Sequence, residues 1–386
     1  MNGSAMEFLS EISTPAIAEV LARWRATHPG MGVMALLPEA MKDALPTLQR
    51  ACTDAGVPLV GAIFPALLHD GRFVSAGAWL LRFDRMPRAA LHPDLPGGEG
   101  LPEALDGIVA GLLPHLGASE DATLFLLFDA MVPNIGSILD ELYLRLANRV
   151  HYMGVNAGSE TFQPMPCLFD GERVVQNGVL ALLLEPHRGA ILEHGYAVPE
   201  QMITATSTEG NRIMQIDWRP AFEVYREMAR AQYGVEIDRE NFYQYAVHFP
   251  FGIVRANGIT VVRIPVALEE DGSLFCVGEV PVNAMLTLLR APAVDSRHTL
   301  ETVVNGLAEL NGPIAGRDLL LFYCAGRRLH LGIEAASDEL RRLGQASQAG
   351  RLAGALSLGE IGSTTQWGYP LFHNATLVAS LWNHVG

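Results

Sequence analysis

The chain has 386 residues, 49% of them hydrophobic and 18% charged, with a formal net charge of −15. Such a balance belongs to a folded globular protein and excludes a disordered one; the acidic excess, with Lys42 as the single lysine, excludes the clustered cations that nucleic acid or an anionic membrane surface demands. No apolar run approaches the roughly 18 residues that span a bilayer, and the N-terminus MNGSAMEFLSEIS is acidic where a signal peptide is basic, so a cytoplasmic protein is expected.

In chain order, Ser13-Thr14-Pro15 opens a helix over residues 15–27, because proline suits the first helical position. MGVMALLP then reads as a buried strand, residues 39–55 as a helix, and residues 57–83 as a hairpin turning at Asp70-Gly71. The Pro- and Gly-rich stretch 85–100 predicts a loop, and residues 101–116 a helix. TLFLLFD (123–129) is an apolar strand, followed by the helix IGSILDELYLRLANR and a strand pair turning at Asp170-Gly171. Two short strands are expected around Glu209-Gly210-Asn211, and a helix from Pro220.

Residues 258–290 repeat the hairpin pattern with a turn at Asp271-Gly272, and residues 298–311 again read as a helix. LLLFYC (319–324) is a strand buried on both faces, followed by a Gly-Arg-Arg turn, a helix over 334–347, and the strand runs LAGALSL and YPLFHNATLVASLW around GEIGSTTQWG. Hairpin, helix, strand, helix and strand pair thus occur twice, with turns at Asp70-Gly71, Asp170-Gly171, Asp271-Gly272 and His373-Asn374 about 100 residues apart. The prediction is a mixed α/β fold with an internal duplication. Two tandem domains of similar topology, 1–198 and 251–386, would each hold a mainly antiparallel sheet with packed helices, joined by a connector over 199–250.

Chemistry is harder to find. No GxSxG, HExxH, Walker loop or Rossmann fingerprint is present. Cys52, Cys167, Cys276 and Cys324 lie far apart without a CxxC, which suggests neither a disulfide framework nor a thiolate metal site. Polar residues do cluster at corresponding strand ends: Asp129, Asn156, Ser159 and Glu160 in the first half, and Cys324, Arg327, Ser357, Glu360, His373 and Asn374 in the second. Glu360, flanked by Gly359 and Ile361-Gly362 after an apolar strand, needs exposure or a partner, and Arg327 could supply one. That arrangement would be either a pocket for a ligand bearing amino and carboxyl groups or a structural salt bridge.

Cys324 with His330 or His373 would be the core of a hydrolase or transferase, against the more ordinary reading of a buried structural cysteine. The twelve histidines include no HxH or HxxxH pair, which leaves a single axial haem ligand as the histidine chemistry that needs no spacing. His248, within NFYQYAVHFPFG, has the aromatic, uncharged surroundings such a ligand wants, with His373 second; a satisfied core histidine is the competing reading.

Across nearly its whole length the chain resembles the FIST family of bacterial sensory proteins. VGAIFPALLHDGRFVSAGAWLL, LFLLFDA and MGVNAGSETF carry the N-terminal resemblance; IPVALEEDGSLFCVGEVPVNAMLTLL, LLLFYCAGRR, ASDEL, GALSLGEIG and PLFHNATLV carry the C-terminal one. IFPA in the first hairpin departs from the small polar residues more usual there. The resemblance implies a sensor that binds a small molecule, amino acids having been proposed as ligands, and signals to a separate histidine kinase or cyclase. Stand-alone members of this size include haem proteins that sense nitric oxide, so haem is an implied cofactor.

Overall fold

The computed structural model describes residues 4–96, 98–116, 121–291, 296–363, 368–382 and 385. Three stretches of chain run through one sequence of elements. The first is β1 (Met6–Leu9), α1 (Thr14–Arg25), β2 (Gly32–Pro38), α2 (Leu45–Asp54), β3 (Leu59–Phe64), the hairpin β4 (Leu67–His69) and β5 (Arg72–Val74), then β6 (Ala78–Phe83). The second is β7 (Arg88–His92), α3 (Leu101–Leu112), β8 (Thr123–Asp129), α4 (Ile135–Leu146), β9 (His151–Ala157), β10 (Leu168–Asp170), β11 (Val174–Val175) and β12 (Val179–Leu184).

The third stretch begins with β13 (Ile191–Glu193) and is then interrupted. The interruption holds β14 (Ile203–Glu209), β15 (Arg212–Ile216), β16 (Arg219–Pro220), α5 (Ala221–Tyr233), α6 (Phe242–Ala246), β17 (Phe251–Val254), β18 (Thr260–Arg263), β19 (Pro265–Leu268), β20 (Leu274–Cys276) and β21 (Met285–Leu288). The pattern resumes with α7 (Arg297–Asn311), β22 (Leu319–Cys324), α8 (Ala325–Leu331), α9 (Ile333–Ser347), β23 (Leu352–Ser357), β24 (Glu360–Gly362), β25 (Leu371–His373) and β26 (Leu377–Leu381).

Each stretch builds a six-stranded sheet, and the orders correspond strand for strand: β1-β6-β2-β3-β10-β11, β7-β12-β8-β9-β24-β25 and β13-β26-β22-β23-β4-β5. In each, one pair is parallel (β2 with β3, β8 with β9, β22 with β23) and the other pairings are antiparallel. The last two strands of every sheet come from another repeat. The first repeat lends its hairpin to the third sheet, the second to the first, and the third to the second, so the exchange closes into a ring. The mixed α/β fold with internal repetition is therefore as the sequence implies, and the repeat has a third copy.

The sequence supports this locally. Alternate residues of the apolar strands face opposite ways: Phe125 and Leu127 of β8 and Leu320 and Phe322 of β22 enter one central core shared by the three sheets, whereas Leu124, Leu126 and Phe128 pack against α3 and α4. At the centre Phe322 lies 5.6 Å from Phe64 and 6.1 Å from Phe125 between ring centroids, one phenylalanine from each repeat. Three glycines mark the borrowed hairpins. Gly61, Gly154 and Gly354 sit three residues before the ends of β3, β9 and β23, opposite Phe169, Ile361 and Leu68 of the incoming strands. A Cβ on any of them would fall 2.1, 2.3 or 1.7 Å from a carbonyl oxygen of the neighbouring strand, so the close approach admits only glycine.

The interrupting segment forms a fourth sheet, β18-β17-β21-β14-β15-β20-β19 with β16 beside β15, over its own core of residues such as Phe242, Phe251 and Leu288. Residues 199–250, read from sequence as a connector, contribute β14, β15, β16, α5 and α6 to this unit, and the hairpin around Gly210-Asn211 is where it was expected. Three local expectations change. The Asp271-Gly272 turn joins β19 to β20 in the fourth sheet, so it does not correspond to Asp70-Gly71. The predicted loop 85–100 contains β7, whose residues find partners on β12, and the predicted Gly-Arg-Arg turn is the first part of α8. The GEIGSTTQWG turn lies partly outside the described residues.

Candidate functional site

The two parallel pairs β8/β9 and β22/β23 end in register. Asp129 stands opposite Ala157, and Cys324 opposite Ser357, so Asp129 and Cys324 occupy equivalent positions in two repeats. The carboxyl ends of parallel strands are where loops diverge and leave room for ligands. A cavity of about 340 Å³ opens there, walled by Cys324, Gly326 and Leu329 around the start of α8, by Ile264–Val266, by Asn374, by α6 with His248, and by Glu160 and Phe162 after β9. This volume lies within the ordinary range for small-molecule sites. Its surface is mostly apolar, and Leu329 and Tyr243, at 59% and 64% exposure, are uncovered hydrophobic side chains on its rim.

The polar rim is sparse. Glu160 is held by Arg328 at 2.6 Å. His248 Nδ1 lies 2.5 Å from His330 Nδ1, and partial burial holds the His248 ring below its usual range. Of the residues singled out from sequence, Glu160, Cys324, Asn374 and His248 therefore line this cavity, and Asn156 lines an adjoining one.

The remaining predicted residues are engaged elsewhere. Asp129 is buried and terminates β8 by accepting the N–H groups of Met131 at 2.9 Å and Asn177 at 2.7 Å. Ser159 Oγ bonds Thr161 Oγ1 at 2.8 Å and shapes the turn after β9. Arg327 does not meet Glu360. Its guanidinium forms a two-point pair with Glu339 of α9 at 2.6 and 2.8 Å and donates to the His194 carbonyl at 2.7 Å, while Tyr323 Oη donates to Glu339 at 2.6 Å. Because α8 is a helix rather than a turn, Arg327 is carried toward the α9 side. Burial pushes the Glu339 carboxyl up, and the Arg327 hydrogen bonds and charge bring it net below its usual value.

Glu360 is fully buried on β24. Ser357 Oγ donates to its Oε1 at 2.6 Å and Thr376 Oγ1 to its Oε2 at 2.6 Å; burial dominates and raises its pKa to about 7. Cys324 accepts the Ala375 N–H at 3.0 Å through sulfur. Burial, and then the nearby Glu360 carboxylate, push its thiol far above the usual range, the opposite of what an attacking thiolate needs. His373 stands opposite Glu360 in the register, wholly buried. Burial holds its ring neutral, and among the described residues neither ring nitrogen has a hydrogen-bond partner.

These placements order the two haem-ligand candidates. His373 is sealed in the core and does not line the cavity. His248 lines an apolar cavity and has Nδ1 within hydrogen-bond distance of a second imidazole, the kind of outer contact that orients a ligating histidine and, where His248 is the donor, leaves Nε2 for a metal. The residues around His248 thus fit an axial ligand. Among the described residues no group of three or more His, Cys, Asp or Glu side chains could hold a bare metal ion. Sequence reasoning missed Glu339 as the partner of Arg327, although it lies in the ASDEL string, and missed Leu329 and Ile264–Val266 as cavity walls. Apolar residues carry no signature until the fold shows that nothing covers them.

A family model described as the FIST N domain matches residues 33–219, and one described as the FIST C domain matches residues 221–363. No curated protein matches. Among solved structures, phosphoribosylformylglycinamidine synthase II from Thermotoga maritima aligns over 97% of this chain and 71% of its own, at 10% identity and a TM-score of 0.19. That similarity carries no argument about fold or function. No described helix is long and apolar enough to cross a membrane.

Proposed function

The chain belongs to the FIST family of small-ligand sensors in signal transduction, and from that premise we propose that its ligand occupies the cavity beside His248 and Cys324. One observation carries this reading: the cavity is apolar and its walls come from both FIST domains, Glu160 and Phe162 from the N-terminal one and the rest, apart from Asn374 just beyond the matched residues, from the C-terminal one. A ligand touching both sets of walls binds one arrangement of the domains better than others, and that differential affinity is what a sensor converts into a signal. A separate cytoplasmic histidine kinase or cyclase is the proposed recipient. The alternatives have less support. A charged amino acid would need Arg327 and Glu360, which are occupied in the interior, and a hydrolase or transferase would need Cys324 as a thiolate.

Haem held by His248 suits this site. When bound, haem supplies an iron centre able to take a diatomic gas such as nitric oxide. The chain's own contribution is the His248–His330 hydrogen bond, which orients the ring and, with His248 Nδ1 as its donor, leaves Nε2 as the ligating nitrogen, and the apolar wall of Ile264, Val266, Val277 and Leu329, against which the macrocycle would pack. The test is an absorption titration with haemin of the wild type, His248→Ala and His373→Ala. A saturable Soret band in the wild type and in His373→Ala, lost or weakened at least tenfold in His248→Ala, is expected. An unchanged band in His248→Ala overturns the assignment; no saturable band in the wild type overturns haem as the ligand.

A further inference from the structure

Arg263 is the last residue of β18, and the next residue, Ile264, walls the His248 cavity. Successive side chains leave a strand in opposite directions. Arg263 accordingly lines a different cavity, of about 380 Å³, together with Val261 on its own strand, the start of α4 and residues 279–282 ahead of β21. The two cavities share no described lining residue.

The Arg263 side chain is 4% exposed and has no carboxylate partner. Nε donates to the Glu279 carbonyl at 2.8 Å, and Nη1 to the Phe372 and Val262 carbonyls at 2.7 and 3.0 Å. Nη2 donates to no described residue, and unlike the orphaned side-chain atoms of the interior it is open to solvent, so a ligand in the cavity can reach it. A second guanidinium lines the same cavity without an ion pair: that of Arg255, exposed just after β17. Burial is the main cause that lowers Arg263 to about 10, and the nearby Arg255 charge acts in the same direction; Arg263 stays charged at neutral pH.

The cavity also holds two carboxylates, but α4 draws both to the opposite wall. Glu279 accepts the Ser137 Oγ–H at 2.6 Å and the Ser137 N–H at 2.9 Å in the first turn of α4, and Asp140 accepts Tyr369 Oη at 2.8 Å. A buried cation met only by carbonyls lacks the counter-charge that offsets its desolvation. A guanidinium presents its N–H groups in the geometry of a carboxylate. Val261, Val280, Pro281 and Leu371 offer apolar surface to whatever carries that carboxylate. A dianion such as a phosphate ester would set its second charge against Asp140 and Glu279.

We infer that this cavity binds a small organic monocarboxylate with an apolar body, its carboxylate held by Arg263 and Arg255. The site is separate from the one beside His248 and does not rest on the haem reading.

The experiment uses three probes built on one ring: benzoate, a monoanion; benzamide, its uncharged counterpart; and phenyl phosphate, a dianion. Binding to the full chain without haemin is measured by titration calorimetry, with circular dichroism confirming that each variant is folded. Saturable binding of benzoate is expected, with benzamide and phenyl phosphate each at least tenfold weaker. Arg255→Gln and Arg263→Gln should each weaken benzoate at least tenfold. Arg226→Gln, which removes an exposed arginine of α5 outside the cavity, should leave it unchanged. Arg255 is exposed, so its variant carries the test if Arg263→Gln does not fold. The inference fails if benzoate shows no saturable binding, or if benzamide or phenyl phosphate binds as well. It fails equally if Arg255→Gln binds benzoate as the wild type does, or if Arg226→Gln weakens it as much as Arg255→Gln. Benzoate binding without haemin binding would sink the haem reading and uphold this one, and the reverse would sink this one alone.

Discussion

Glu360 holds its proton at a pH where an exposed glutamate has lost it, because burial raises its pKa to about 7 against about 4.3 in a model peptide. A folded-state pKa raised above the unfolded one means that the native chain binds the extra proton. This contribution is fully present below about pH 4.5 and is lost as pH rises to about 7, by about 3 kcal/mol in all. Buried His187, lowered to about 4 by desolvation, acts with the opposite sign over an overlapping window, since its contribution is lost as pH falls. Wild type alone would therefore mislead. The expected outcome is that Glu360→Gln, which keeps the shape of the protonated acid, loses the decline between pH 5 and 7 that the wild type shows relative to it in urea unfolding. Parallel curves would refute the assignment. The strand-end clustering of polar residues was legible in the sequence, but the pairing was not. Glu360 and Arg327 both fall at strand ends of the second half, which suggested a bond, and only the helical form of residues 325–331, hidden behind a Gly-Arg-Arg string that reads as a turn, sends Arg327 to Glu339 instead.

The strand ends that frame the cavities depend on the elements beneath them, and there the glycines are the sharpest test. A Cβ at Gly354 would lie 1.7 Å from the Leu321 carbonyl oxygen and 3.2 Å from Leu68 of the borrowed hairpin. Neither the paired backbone nor the buried leucine can withdraw, so Gly354→Ala should cost about 3 kcal/mol or more. Gly344, inside α9 with nothing within 4 Å of its added Cβ, is the control: Gly344→Ala should stabilise by about 0.5–1 kcal/mol. Midpoints of chemical denaturation measure both, and equal effects would refute the packing argument. Apolar runs made β2, β8 and β22 readable because both of their faces are buried. The Asp70-Gly71 turn was readable as well, since its two residues take positive φ (49° and 67°) as a tight hairpin requires. What could not be read was the partner of each hairpin. A strand pairs equally well with its own repeat or another, and the choice is made by chain crossings that leave no local trace. The short strands of the fourth sheet were half hidden for a related reason. Several are three to five residues long, with one face open, and their alternation looked like another copy of the repeat.

At the scale of the molecule, the two FIST domains are not two separable bodies. The sheet of the second repeat contains β24 and β25, and that of the third contains β4 and β5. Residues 1–198 expressed alone would keep the hairpin β4–β5 with no sheet to join and leave β9 with an open edge, a template for intermolecular pairing. The expected result is an insoluble or aggregated fragment 1–198, recovered as a folded complex when 199–386 is co-expressed. A monomeric, well-dispersed NMR spectrum from 1–198 alone would contradict it. Two tandem domains were legible because similar strings recur along the sequence. Their interlocking was not, because it is a property of how the recurrences are joined.

The ring of exchanged hairpins also has a meaning in time. The ribosome releases β4 and β5 early, yet the strand that receives them, β23, emerges about 280 residues later. At ordinary rates of synthesis, about 5–20 residues per second, that is a wait of about 15 to 60 s. Throughout it the nascent chain carries two apolar strands whose berth has not been made, beside a first sheet that is already supplied once residues 168–175 are out. The third repeat, last to appear, is thus the clasp that fastens the first, and a chain cut short before β23 would be born with its clasp open.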